Sequence, residues 1–120
     1  MNFHVDASTG KTLGLVELSG RLDAANRSEL LKSFALWQQQ VDLFIFNCTK
    51  LDMIDSSGLG AIVACLRKAL ERNGDLKLAG LNPKVSMVFE LTKANKLFSI
   101  FPDTGSAIQL LFLTESGKTF

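Results

Sequence analysis

The sequence predicts a single α/β domain, a mixed β-sheet of about five strands with about four helices. Two short strand-like segments open the chain as a hairpin. Apolar strand segments and amphipathic helical segments then alternate to the end. The length of 120 residues supports one real hydrophobic core, so residues 1–120 are read as one domain. A hairpin pairs antiparallel and later helical crossovers favour parallel pairing, hence a sheet of mixed direction.

Residues 2–7 and 12–19 read as the two opening strands, joined at Ser8-Thr9-Gly10-Lys11, where Gly tolerates positive φ. Phe3 and Val5 alternate with polar neighbours, as on an edge strand. Leu22 to Gln40 reads as a helix with Asp23 as N-cap, because Leu30, Leu31, Phe34 and Trp37 recur at helical spacing. Leu43-Phe44-Ile45-Phe46 is apolar throughout, the mark of a central strand. After Ser57, the residues Leu59, Ile62, Val63, Leu66 and Leu70 define one face of a helix, with Arg67, Lys68, Glu71 and Arg72 off it.

Asn73-Gly74 ends that helix, with Gly expected as the left-handed residue. Leu76 to Ala79 is the next strand, and Asn82-Pro83 opens a helix with a capping side chain and a proline in its first turn. Val85, Val88 and Phe89 form its apolar stripe. Phe98-Ser99-Ile100 reads as a last short strand, and Pro102-Asp103-Thr104 starts a final helix through about Leu113, with a polar tail from Thr114.

Composition narrows the function classes. Thirteen Lys and Arg against 12 Asp and Glu leave a net charge of +1, and no dense basic run neutralises phosphates, so nucleic acid is not an expected partner. Cys48 and Cys65 sit in apolar stretches and read as free buried thiols, which suits a reducing cytoplasm. The first residues lack the pattern of a signal peptide, and no apolar run reaches the roughly 18 residues that span a membrane. A cytoplasmic protein without a membrane partner is the expectation.

Catalytic constellations fail one by one. Gly10-Lys11-Thr12 and Gly117-Lys118-Thr119 resemble the end of a phosphate-binding loop, but Val5 and Phe112 stand where its first Gly belongs. A serine hydrolase requires a base, yet His4 is the only histidine and lies on the edge strand, and no Gly-x-Ser-x-Gly elbow is present. Asp52 and Asp55 alone make no metal cage. A phosphoacceptor receiver domain would carry an aspartate where Asn47 ends the central strand. No catalytic residue, metal or other cofactor is therefore assigned, and the chain is not read as an enzyme.

What remains is Asp55-Ser56-Ser57-Gly58, between a buried strand and an amphipathic helix. Asp55 or Ser56 belongs at or beside the N-cap, and a helix start tolerates an anion through its unpaired N–H groups and positive dipole end. A cap alone accounts for one serine. It accounts neither for the second nor for Gly58 and Gly60, since a glycine inside a helix costs roughly 1 kcal/mol relative to Ala. The pattern reads as a serine displayed on a ledge for chemistry performed by another protein, with the glycines removing bulk around it.

"IDSSGLGAIV" at 54–63 and "LSGRLDAANRSEL" at 18–30, with the strand–helix order over nearly the whole chain, resemble the STAS domain, in particular the bacterial anti-sigma-factor antagonists. The resemblance implies a single STAS-like domain that regulates sigma-factor-dependent transcription. In that family the unmodified antagonist binds an anti-sigma factor that is also a serine kinase, phosphorylation ends binding, and a serine phosphatase restores it. Carried onto this chain, the resemblance makes Ser56 the phosphoacceptor, with Ser57 as fallback. Asp23, Asp55, Ser57, Gly58 and Leu59 become partner-binding residues. Arg21 stands where many relatives carry an acid. The alternative is a non-switching STAS scaffold subunit of a stress-signalling or lipid-transport assembly.

Overall fold

The structure is a computed structural model that describes residues 1–7 and 10–109. Five strands form one sheet in the order of the chain: β1 (Asn2–Asp6), β2 (Leu13–Leu22), β3 (Leu43–Ile54), β4 (Asp75–Ala79) and β5 (Ile100–Phe101). β1 pairs antiparallel with β2, and every later neighbour is parallel. The mixed sheet expected from the hairpin and crossovers is what forms. Gly10 takes φ 84° at the hairpin turn, as expected, while Ser8 and Thr9 lie outside the described residues.

Three helices connect the parallel strands: α1 (Arg27–Trp37), α2 (Ser56–Glu71) and α3 (Pro83–Leu91), the last followed by a 3₁₀ turn at Ala94–Lys96. Crossovers of one hand into a sheet that grows in one direction place all connecting helices on one face. The main core lies there. Val16, Leu18, Phe44, Phe46, Leu76 and Leu78 project from the strands against Leu30 and Phe34 of α1, Ile62 and Cys65 of α2, and Val85 and Phe89 of α3. Phe34 lies 4.6 Å from Phe44 and 6.1 Å from Phe46 between ring centroids, and Trp37 stacks on Phe3 at 5.1 Å. The opposite face carries Leu13, Leu15, Leu43 and Ile45, covered by Ala107 and Ile108 of a helix, α4, that begins at residue 104 and is described to 109.

Several boundaries differ from the sequence reading. β2 continues to Leu22 and α1 starts only at Arg27, so Asp23 sits in the turn between them and is not the N-cap of α1. Register shifts at Glu17/Ser19 and Gly20/Arg21 bend this strand and break the alternation that would have revealed it. β3 is longer than Leu43–Phe46 and runs on to Ile54, which carries the chain to the Asp-Ser-Ser-Gly segment.

On α2, Leu70 is exposed, and Ala61, Cys65 and Ala69 complete the buried face in its place. The left-handed residue after α2 is Asn73 (φ 61°), not Gly74. Gly74 instead lies against the Asp42 carbonyl, whose carbon would stand 2.9 Å from an added Cβ. β5 falls at Ile100–Phe101, while Phe98 turns into the core against Phe89. Asn82 caps α3 as expected, accepting from the Val85 N–H at 2.9 Å. At the start of α4 the Asp103 carboxylate accepts from the Ser106 N–H at 2.7 Å, which holds its pKa below the usual value. The end of that helix at Leu113, the tail from Thr114 and Gly117-Lys118-Thr119 lie outside the described residues.

Candidate functional site

The site is the rim where β2 and β3 end side by side. Leu22 pairs with Ile54, and the next N–H, that of Asp55, donates to the Leu22 carbonyl at 3.3 Å. Asp55 has extended backbone (φ −108°, ψ −176°), and its side chain accepts from the Gly58 N–H at 2.9 Å, so Asp55 is the N-cap of α2. Ser56 is then the first helical residue and is exposed. Its hydroxyl is not spent on capping, because the carboxylate beside it does that work.

The rest of the segment anchors this ledge. Ser57 is half-buried, and its carbonyl accepts from Arg27 Nε at 3.3 Å, which ties the start of α2 to the start of α1. Gly58 is buried. An added Cβ there would collide with the Leu22 carbonyl and stand 2.7 Å from its carbon, so this glycine allows close approach of strand and helix inside the molecule and does not clear space for a visitor. Leu59 is buried in the main core as well. Gly60 is exposed and an added Cβ meets nothing within 4 Å, so the expectation of a surface free of bulk holds there.

Asp23 comes to the same rim from the β2–α1 turn. Its N–H donates to Asn26 Oδ1 at 2.9 Å, its own Oδ1 accepts from the Ala25 N–H at 3.0 Å, and Arg21 Nε stands 3.8 Å from its Oδ2. Arg21, Asp23, Met53 and Asp55 together line a small crevice. Two carboxylates and one guanidinium, from segments more than 30 residues apart in the chain, therefore share the crevice at Asp55, the residue just before Ser56.

Beyond Ser56, a wider groove runs between α2 and the turn after α3 and is lined in part by Arg67, Lys93 and Leu97. Sequence reading did not single out Lys93 or Leu97. The only local sign was the polar "TKANK" break after α3, where Lys93 takes a left-handed backbone (φ 60°).

His4 is exposed on the edge strand β1, where the sequence placed it. Cys48 and Cys65 are free and buried, and burial pushes both thiols up to about 12, with Lys68 opposing part of the rise at Cys65. Among the described residues no helix is long and apolar enough to cross a membrane.

An α/β domain that displays a serine at the first turn of a helix, beside its own capping acid, defines the class. The STAS domain family model matches residues 4–107, and the chain belongs to that family. It is 23% identical over 110 residues to the anti-sigma F factor antagonist of Paenibacillus polymyxa, covering 90% of this chain and 94% of that one. It is 27% identical over 111 residues to the anti-sigma-B factor antagonist of Bacillus subtilis (strain 168), covering 91% and 100%. The Bacillus cell fate determinant SpoIIAA, solved in its phosphorylated form, shares the fold with a TM-score of 0.67 at 21% identity, covering 92% of this chain and 99% of that one.

Proposed function

We propose that this protein is an anti-sigma-factor antagonist whose binding is switched at Ser56. Unmodified, it binds an anti-sigma factor that is also a serine kinase. Phosphorylated, it is released, and a serine phosphatase returns it to the binding state. It acts by occupying its partner and catalyses nothing itself. The observation that carries this reading is the division of labour at the start of α2: Asp55 caps the helix, leaving the exposed Ser56 hydroxyl for an outside enzyme. Family membership and the two antagonist relatives support it.

Asp23 and Asp55 are the proposed partner contacts around the phosphoacceptor, with Ser57 as neighbouring contact and fallback acceptor. Gly58 and Leu59 serve that contact from beneath by fixing the ledge. The switch follows from charge. A phosphate adds about −1.5 to −2, and against one partner carboxylate about 5 Å away at an effective dielectric near 20 the repulsion is about 5–7 kcal/mol before screening by salt. Even half of that weakens binding more than about tenfold. No change of fold is required.

Incubation with an anti-sigma-type serine kinase and ATP, followed by mass mapping, is expected to place one phosphate on Ser56 and none in Ser56→Ala. In a pull-down with that kinase, Ser56→Ala is retained and Ser56→Asp is lost. A chain never modified at Ser56 or Ser57, or equal retention of both variants, would favour the non-switching scaffold subunit instead.

A further inference from the structure

The groove beside Ser56 has a composition that the switch alone does not require. One wall is α2, where Ser56, Gly60 and Ala64 succeed one another at four-residue steps and Arg67 stands near the far end. The other wall is the turn after α3, with Lys93 and Leu97. Gly60 has open space above it, and Leu97 offers an apolar edge that is 57% exposed. Lys93 is held in place by the turn itself: its N–H donates to the Glu90 carbonyl at 3.1 Å, and the preceding Thr92 hydroxyl donates to the Val88 carbonyl at 2.7 Å. Among the described residues the lining holds two cations, Arg67 and Lys93, and no carboxylate.

We infer that this groove receives an acidic amphipathic helix of the binding partner, with apolar residues laid along Gly60, Ala64 and Leu97 and carboxylates facing Arg67 and Lys93. The inference rests on the antagonist reading and adds the chemistry of the partner's docking segment. It also gives the phosphate a second action. Arg67 and Lys93 together contribute two positive charges, and a phosphate on Ser56, at the end of the same groove, brings about −1.5 to −2. Modification would thus cancel the field that attracts the acidic helix, in addition to repelling any carboxylate nearby.

The probe is a helical peptide of about four turns, with an Ala/Leu stripe flanked by Glu, compared with the same peptide carrying Lys for each Glu. Titrated into the isotope-labelled full chain, the acidic peptide is expected to move the amide signals of Gly60, Ala64, Lys93 and Leu97, and the basic peptide to leave them in place. Arg67→Glu with Lys93→Glu should weaken the acidic peptide at least tenfold while leaving the thermal midpoint unchanged, and Ser56→Asp should weaken it several-fold. The inference is overturned by equal binding of the two peptides, by no binding of the acidic one, or by shifts that fall elsewhere. Movement of the same signals on concentrating the protein alone would also overturn it, since a second copy would then fill the groove. Kinase labelling of Ser56 is read separately: unlabelled Ser56 with the peptide response intact removes the switch and keeps the groove, whereas labelled Ser56 with no peptide response removes the groove and keeps the switch.

Discussion

The starts of α2 and α3 are built by the same rule and end on different surfaces. Each follows a strand end. Each is capped by a side-chain oxygen that accepts from the N–H three residues on, Asp55 from Gly58 and Asn82 from Val85, both at 2.9 Å. At α3 the cap is also bolted to the sheet, because Asn82 Nδ2 donates to the Leu51 carbonyl at 2.9 Å, and the next residue is Pro83, which suits a first helical position and offers no side-chain donor. At α2 the cap is followed by an exposed hydroxyl, and rigidity comes from below, through Gly58 against Leu22 and Arg27 on the Ser57 carbonyl. The comparison teaches that capping fixes where a helix begins, while the residue just past the cap decides whether that end closes on a proline or presents a hydroxyl group.

The largest expected effect separates the two glycines of α2. Gly58→Ala drives a methyl into a backbone carbonyl that cannot swing aside and should cost about 2–4 kcal/mol. Gly60→Ala, with open space around it, should gain about 0.5–1 kcal/mol. Denaturant titration of both checks this, and equal behaviour would break the distinction between internal support and open ledge.

Next come the caps. Asn82→Ala loses two hydrogen bonds and should cost about 2 kcal/mol, against about 1 kcal/mol for Asp55→Ala, which loses one. The same titration ranks them. Ser56→Ala should then change stability by less than about 0.5 kcal/mol, as at an exposed position free of capping duty. A loss of 1 kcal/mol or more would mean that the hydroxyl supports the fold after all.

The smallest effect concerns the thiols. With Cys48 and Cys65 pushed up to about 12, both stay protonated in the native protein, so a thiol reagent at pH 8 should label neither until denaturant is added. The sign follows from the protonated form being favoured by folding: this contribution is complete below the ordinary thiol value and is lost as pH climbs through it toward about 12.

The element order, the mixed sheet and the placement of the serine ledge were legible because apolar runs and helical stripes repeat at clear periods. Three places were not. The end of β2 is hidden because its register shifts destroy alternation, so Leu22 and Asp23 looked like a helix start. The second half of β3 buries Cys48, Leu51 and Ile54 at three-residue steps, which resembles neither a flat strand nor a helix face. The choice between Asp55 and Ser56 as cap turns on backbone geometry, since either side chain is a competent acceptor. Gly58 shows the limit most sharply. A glycine beside a displayed serine suggests a cleared surface, and only the position of the Leu22 carbonyl reveals that it faces inward.

Because the five strands are laid down side by side in chain order, each new segment meets a sheet edge that already exists, and assembly can advance in step with synthesis. Among the described residues, the cover over Leu13, Leu15 and Ile45 comes late in the chain, through Ala107 and Ile108. Until it arrives, the nascent sheet carries a bare oily flank, which makes this flank the one that a holding chaperone would be expected to shelter.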